Sequence, residues 1–215
     1  KGFFSLDYFQ LQANAFRQGE VSLLENVYQI RPFDLSLVGE KIFMSWGPIP
    51  AVIYAIADII WSFLFDELFP KTYLLVGGYT VFLYSCFLFL CSTIDRRRSL
   101  LVATVLGLSP ELYTFFFNKF SVWEIAVFYG VVFYTIGLAC RSRSRIVAQV
   151  FYFLAAMSQP FFYLLMIPPT TWAYLKFSHE RKRLILLILT GVGLQFFYNY
   201  LRFKNVLEFG EEFKF

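Results

Sequence analysis

The stretch Tyr73–Cys91, YLLVGGYTVFLYSCFLFLC, has no charged residue in 19 positions. An α-helix needs about 20 predominantly apolar residues to cross the hydrocarbon core of a bilayer, which is about 30 Å thick. Two further stretches approach this length and are almost free of charge, Trp123–Cys140 and Leu184–Tyr200. Repeated apolar stretches of this kind indicate a membrane protein with several crossings.

The composition of the whole chain agrees with this interpretation. Of its 215 residues, 58% are hydrophobic, 22% aromatic and 16% charged, whereas soluble domains average about 45–50% apolar and about 25% charged residues. We therefore predict an all-α fold, a polytopic transmembrane helical bundle, and we disfavour a soluble all-helical core. The chain begins at Lys1 and ends in the charged aromatic stretch 211–215. We expect it to be an internal piece of a longer protein, with helices missing at both ends.

The charges predict an orientation in the membrane. Basic residues cluster in three short loops, at Arg96–Arg98, Arg141–Arg145 and Arg181–Arg183, and residues 1–70 hold eight acids against four bases. Short loops rich in Lys and Arg stay in the cytoplasm. We predict that the three loops are cytoplasmic and that residues 1–70 form an outer-face loop with amphipathic and juxtamembrane helices. Residues 71–215 then form the transmembrane bundle.

One segment between two basic loops must enter the membrane and return. Residues 146–177 are too few for two full crossings, so we predict a hairpin of two short helices that turns at Ser158-Gln159-Pro160, because proline disfavours helical geometry in the preceding residue. Broken helices at membrane depth are tolerated where they are buried in protein or line a cavity, so the hairpin points to a cavity. Single crossings are predicted for 72–94, 100–118, 122–140 and 184–203.

Two helices are predicted in the outer segment. Residues 5–18 alternate apolar and polar side chains with helical spacing, which predicts an amphipathic helix capped by Ser5 or Asp7 and ended by Gly19. Residues 47–65 are apolar enough to span. A crossing there would put the basic loops outside, so we predict a helix at the outer interface.

Signals of soluble enzymes are missing. The one histidine, His179, lies in a basic loop, which disfavours a Ser-His-Asp site or a histidine metal site. We interpret the three cysteines, which lie in apolar stretches, as buried free thiols. The pairs Gly77-Gly78 and Gly191-Val192-Gly193 lack the spacing and lysine of a phosphate loop. Close helix packing explains them better.

Four ionisable residues on the predicted outer side are candidates for a site, since charged groups near the bilayer are costly and often functional. They are Asp7, Glu111, Glu124 and Arg202. Each also has a structural alternative: a helix cap for Asp7, a pair with Lys119 for Glu111, a dipole interaction for Glu124 and a lipid phosphate contact for Arg202.

Three stretches resemble bacterial GT-C glycosyltransferases, the superfamily of protein mannosyltransferases and aminoarabinose transferases. They are Ser5–Gly19 with its acidic residue, Gly39–Pro50 (GEKIFMSWGPIP), and Tyr198–Gly210 (YNYLRFKNVLEFG). The chain departs from the family pattern where Gln159-Pro160 replaces Arg-Pro and where Lys204 replaces glycine.

The resemblance implies transfer of a sugar from a polyprenyl phosphate to an acceptor at the outer face, with inversion. Asp7 matches the general base, and Glu124 matches a second acid that orients the acceptor or binds a divalent metal ion. Arg202 and Lys204 would pair with the donor phosphate, and Asn199 and Glu111 would complete substrate binding. The implied partners are the lipid bilayer, the lipid-linked donor and an acceptor of unknown class, with no nucleic acid. The implied location is the bacterial inner membrane, with the site facing the periplasm.

Two other functions stay open at this point. Broken helices and buried charges also occur in transporters, so the chain could belong to a transporter or flippase for an amphipathic lipid. The lack of a repeat between its halves disfavours that alternative. A membrane protein without catalytic activity is the third interpretation, in which the outer acids are scattered.

Overall fold

A computed structural model of the protein describes residues 8–23, 35–65, 69–109 and 122–208. These residues are mostly helical, which confirms the helical class. The described ranges contain eight α-helices: α1 (Tyr8–Arg17), α2 (Ile49–Ser62), α3 (Lys71–Cys91), α4 (Arg96–Gly107), α5 (Val122–Cys140), α6 (Arg145–Ser158), α7 (Phe162–Lys176) and α8 (Arg181–Phe203). They also contain two strands, β1 (Leu35–Val38) and β2 (Lys41–Met44), and one 3-10 turn at Ser178–Glu180.

The chain divides into two compact units. Unit 1 comprises Lys1–Pro70 and Gly193–Phe215, and unit 2 comprises Lys71–Val192. Gly193–Phe215 group with the first segment in unit 1, so helix α8 contributes residues to both units. The division of the chain at residue 70 into an outer loop and a transmembrane bundle stays a prediction.

In unit 1, α1 has the predicted amphipathic character. Phe9 and Ala13 are buried, Arg17 is exposed, and Gly19 ends the segment with φ +78°. A left-handed residue after the last turn commonly ends a helix, and glycine adopts that conformation without steric cost. The predicted end at Gly19 is confirmed, and the predicted caps Ser5 and Asp7 lie outside the described residues.

The β-hairpin of unit 1 was not predicted, and it is a small addition to a mostly helical fold. Strands β1 and β2 pair antiparallel, with Leu35 opposite Met44 and Val38 opposite Lys41. The two residues between them begin with Gly39, at φ +62°, which suits a tight hairpin turn. Each strand has only four residues, too short for a clear alternation of apolar and polar positions.

Helix α2 is shorter than a membrane crossing. Its 14 residues correspond to about 21 Å at 1.5 Å per residue, against about 30 Å of hydrocarbon. Proline at its start is compatible with a first helical turn, where no N–H partner is required. The length agrees with the prediction of a helix that does not cross, while its place at the outer interface stays a prediction.

In unit 2, α3 packs on α4 and α5, α5 on α6, and α6 on α7. Two of the predicted small-residue contacts are confirmed. A side chain at Gly78 would collide with the ring of Phe128, and one at Gly191 would collide with Phe153. Gly77 and Gly193 face open space instead, so only one glycine of each pair is needed for close packing.

The predicted hairpin is present. Helices α6 and α7 are separated by residues 159–161, where Gln159 adopts an extended backbone and its side chain accepts a hydrogen bond of 2.6 Å from the Phe161 N–H. The core cluster of unit 2 forms largely from this hairpin, through Ala148, Tyr152, Phe153, Ala155, Ala156, Phe162 and Met166.

Two of the described helices, α3 and α8, are long and apolar enough to cross a membrane. Length and composition alone are weak evidence, because core helices of soluble proteins pass the same test. The predicted crossing 100–118 is described only as far as residue 109. A polytopic bundle needs more crossings than these two, so it stays a prediction.

Candidate functional site

Two of the predicted site residues, Asp7 and Glu111, lie outside the described residues. The predicted meeting of Asp7 and Glu124 at one cavity therefore stays a prediction. Glu124 lies in the first turn of α5 in unit 2. Asn199, Arg202 and Lys204 lie in unit 1. Glu124 and its surroundings in unit 2 form the candidate site.

An open apolar groove of about 570 Å³ lies in unit 2 at the turn between α6 and α7. This is the position at which the broken hairpin predicted a cavity. One wall comes from α5 and the other from the hairpin. The lining residues are Val127, Val131, Tyr134, Gln159, Phe161, Phe162 and Leu165.

The groove exists because the hairpin is short. Helices α6 and α7 have 14 and 15 residues and α5 has 19, so each hairpin helix is about 6–8 Å shorter than α5 at 1.5 Å per residue. Gly130 brings the two walls together, since a side chain there would collide with the ring of Phe162. The short hairpin and its close approach at Gly130 leave an open space beside the middle of α5, from Val127 to Tyr134.

A hydrogen bond across the base of the groove joins α5 to α7. The Tyr134 hydroxyl donates to the carbonyl of Leu165 at 3.1 Å. That carbonyl is the one that the residue four positions later would bond in a regular helix. Pro169 occupies this position inside α7 and has no N–H. Tyr134 therefore satisfies a carbonyl that the proline leaves without its helical partner.

Glu124 belongs to the same stripe of α5 as the groove wall. It precedes Val127, Val131 and Tyr134 by three, seven and ten residues, a spacing that keeps side chains on one helix face. The residue is half-buried, and a carboxylate in the first turn is stabilised by the helix dipole. The stripe thus consists of an apolar wall with one carboxylate about one turn beyond it.

Arg202 is buried in unit 1, and its guanidinium contacts other protein groups. Its side chain is 2% exposed, its Nη1 donates to the main-chain carbonyl of Met44, and its Nη2 donates to Asn199 Oδ1 at 2.8 Å. The guanidinium also lies over the rings of Tyr198 and Phe203, at 4.1 and 4.5 Å from their centroids. Both terminal nitrogens already have protein partners, so Arg202 has an internal structural role. Its contact with the donor phosphate stays a prediction.

The other two predicted site residues of unit 1 are Asn199 and Lys204, and they differ from each other in exposure. Asn199 is fully buried, accepts a hydrogen bond of 2.9 Å from Gln195 and donates one of 3.1 Å to the Val206 carbonyl. Lys204 is exposed, has φ +56° and places its ammonium 5.2 Å from the Tyr200 ring centroid. Lys204 is accessible to a ligand, and Asn199 is not.

The three stretches that carry the family resemblance meet inside unit 1. Gln12 of the first stretch donates to the Tyr198 hydroxyl of the third at 2.7 Å, and Arg202 of the third bonds the carbonyl of Met44 in the second. Asp58 adds a related contact, since it accepts from Gln10 at 2.6 Å and from the Phe69 N–H at 2.9 Å. Sequence reasoning did not identify this network. The sequence signal that could have pointed to it is the pair of glutamines, Gln10 and Gln12, among the apolar residues of α1.

The three basic loops lie at one end of unit 2. Arg141 lies 5.5 Å from the ring centroid of Phe89, near the end of α3 that leads into Arg96–Arg98. Arg145 forms an ion pair of 3.2 Å with Glu180, beside Arg181–Arg183. Since α5 runs from Glu124 to this end, the groove and Glu124 lie toward the opposite end of the unit.

The described residues contain no group of three or more His, Cys, Asp or Glu side chains close enough to hold a metal ion. A metal held by Glu124 stays a prediction. Comparison with known proteins finds no matching family model, no similar curated protein and no similar solved structure.

Proposed function

We propose that the chain is part of a membrane-embedded glycosyltransferase that takes a sugar from a polyprenyl-phosphate donor at the outer face of the membrane. The observation that carries this proposal is the groove at the α6–α7 turn with Glu124 on the stripe of its α5 wall. A lipid-linked sugar has a long apolar chain and a polar reacting end. The apolar groove would hold the chain, and Glu124, about one turn away along α5, would lie near the reacting end.

The groove suits an isoprenoid chain. Its volume lies within the range of about 300–1,000 Å³ that is usual for ligand pockets, and aliphatic or aromatic side chains form nearly all of its lining. Phe161 and Leu164 at the start of α7 are 56% and 63% exposed. In a bilayer these exposed side chains would contact lipid, so a chain could enter the groove sideways from the membrane.

The reaction balances as a direct displacement. The acceptor hydroxyl oxygen forms a bond to the anomeric carbon while the bond from that carbon to the phosphate oxygen breaks. The phosphate leaves with the electron pair, and the hydroxyl proton passes to a carboxylate base. By the family resemblance that base is Asp7. Glu124 would accept a hydrogen bond from the acceptor and orient it, and we derive no step through a metal.

The burial of Arg202 changes one part of the family-based assignment. A buried guanidinium that holds the 44–46 backbone would shape the outer segment and would not touch the phosphate. Lys204, which is exposed two residues later, is the better candidate for a phosphate contact. Its ammonium would act as a point charge, without the bidentate geometry of arginine.

The experiment measures sugar transfer and lipid movement in the same membranes. Membranes that contain the full protein receive labelled polyprenyl-phosphate sugars, and Glu124→Gln and Val131→Trp are compared with Arg143→Gln at the opposite end of unit 2. We expect the first two variants to lose at least about tenfold in transfer, because one removes a group that orients the acceptor and the other fills the groove, and we expect the control to keep activity. Lipid translocation without transfer would favour the flippase alternative and overturn the proposal.

A further inference from the structure

The basic end of unit 2 carries a charge excess that its own acids do not neutralise. Ten Lys and Arg residues lie in or beside the three loops, against two acids. Each acid is already engaged, Asp95 with Arg98 at 3.1 Å and Glu180 with Arg145 at 3.2 Å. The remaining cations therefore attract an anion from outside the described residues.

Two of these cations are held in place by the same aromatic ring. Arg141 and Lys176 lie 5.9 and 5.1 Å from the Trp172 ring centroid, and neither forms an ion pair with any described residue. Cation–π contacts of this kind hold a cation near the ring. Two like charges beside one indole make this part of the surface attractive to an anion.

A small cavity of about 10 Å³ lies beside Arg141 and Trp172. Its polar lining comes from Arg141, Arg145, Gln149 and Tyr152. Gln149 and Tyr152 are 2% and 3% exposed, and the Gln149 Nε2 and Tyr152 Oη have no hydrogen-bond partner among the described residues. Buried polar atoms without partners are rare and call for a ligand or a water.

The polar groups that line the cavity are hydrogen-bond donors, so they favour a ligand oxygen atom that accepts hydrogen bonds. The Gln149 Oε1 already accepts a hydrogen bond of 2.8 Å from Thr170, so the amide presents its N–H₂ group to the cavity. The neighbouring arginines have only donors to offer, and the tyrosine hydroxyl can donate. A cavity of this volume has room for about one oxygen atom of water size. One oxygen of a larger anion would fit inside while the rest stays at the mouth.

We propose that this end of unit 2 binds the phosphate of an anionic phospholipid, with one phosphate oxygen in the cavity and the charge between Arg141 and Lys176. A lipid is favoured over free phosphate because α7 continues the site with an exposed apolar surface. Ile167, Trp172 and Leu175 are 55%, 45% and 66% exposed and would pack against acyl chains. Basic pockets between helices are known to hold such headgroups. The inference rests on the proposed membrane location and is independent of sugar transfer.

The test titrates the purified protein, in a neutral detergent, with short-chain phosphatidylglycerol and counts bound lipid by native mass spectrometry. The double variant Arg141→Gln/Lys176→Gln is compared with Arg143→Gln/Lys182→Gln, which removes the same charge from the same loops. We expect the first to bind at least about tenfold more weakly, because it removes both charge-assisted contacts to the phosphate. The second should stay within about twofold.

Three results would overturn the proposal. They are equal weakening by both double variants, equal binding of phosphatidylcholine, and inorganic phosphate binding as tightly as the lipid. Thermal unfolding is measured for every variant. If the double variant does not fold, Gln149→Leu replaces it, because this change removes a cavity donor without changing the charge, and it should also weaken binding.

Discussion

The guanidinium of Arg202 donates a hydrogen bond to the main-chain carbonyl of Met44, 158 positions earlier in the chain. The contact joins the end of α8 to the end of β2 inside unit 1. The same side chain reaches Asn199 and lies over Tyr198. The residue that the family resemblance assigned to a phosphate thus holds the outer segment together.

Replacement of Arg202 by methionine is expected to destabilise the protein strongly. The variant leaves the Met44 carbonyl and Asn199 Oδ1 without this donor, and an unsatisfied buried polar group costs about 1–3 kcal/mol. Lys204→Gln, which removes a nearby exposed charge, should stay within about 0.5 kcal/mol. Thermal unfolding in detergent measures both. Equal stability of Arg202→Met and the native protein would contradict the internal role.

Close helix packing at the glycine pair of α3 is tested by two neighbouring substitutions. Gly78→Ala places a methyl group against the Phe128 ring, whereas Gly77→Ala faces open space. Overpacking costs about 1–3 kcal/mol, so the first should lower the unfolding temperature. Alanine at 77 should be neutral or slightly stabilising, because glycine is the poorer helix former. The reverse order of stability would show that the contact of α3 with α5 is misplaced.

The pairing of Tyr134 with the Leu165 carbonyl predicts a specific coupling with Pro169. Tyr134→Phe should cost about 0.5–1.5 kcal/mol because it removes one hydrogen bond. In a Pro169→Ala background, the alanine N–H can bond that carbonyl, and the same substitution should cost less. A double-mutant cycle of unfolding free energies isolates this coupling. Additive costs would contradict our explanation of the hydrogen bond.

The orientation of unit 2 is tested by cysteine labelling. After replacement of Cys86, Cys91 and Cys140, single cysteines are placed at Ser142 in a basic loop and at Gln18 in the outer segment. The predicted topology puts Ser142 in the cytoplasm, so a membrane-impermeant maleimide should label Gln18→Cys in intact cells. It should label Ser142→Cys only after permeabilisation. Labelling of both in intact cells would contradict the topology.

The sequence predicted those parts of the fold that local chemistry determines. Gly19 ends α1 because glycine tolerates a positive φ, and Pro160 separates α6 from α7 because proline restricts its predecessor. The position of the groove followed from the same break. All three depend on residues that are close in sequence.

The missed features depend on contacts between distant residues. The β1–β2 hairpin has four-residue strands with little alternation, and the burial of Arg202 depends on carbonyls 156 and 158 positions away. A cation at the end of an apolar helix looks the same in sequence whether it meets lipid phosphate or protein backbone. The partners alone distinguish these two roles.

The central claim is that the groove at the α6–α7 turn holds a polyprenyl phosphate, and a cross-linking measurement tests it most directly. A photoreactive benzophenone side chain at Val131 is activated in native membranes, and the attached lipid is identified by mass spectrometry, with a benzophenone at the exposed Leu186 of α8 as a control. The account predicts a polyprenyl phosphate or its glycosylated form at Val131 and bulk phospholipid at Leu186. Bulk phospholipid at both positions would contradict it.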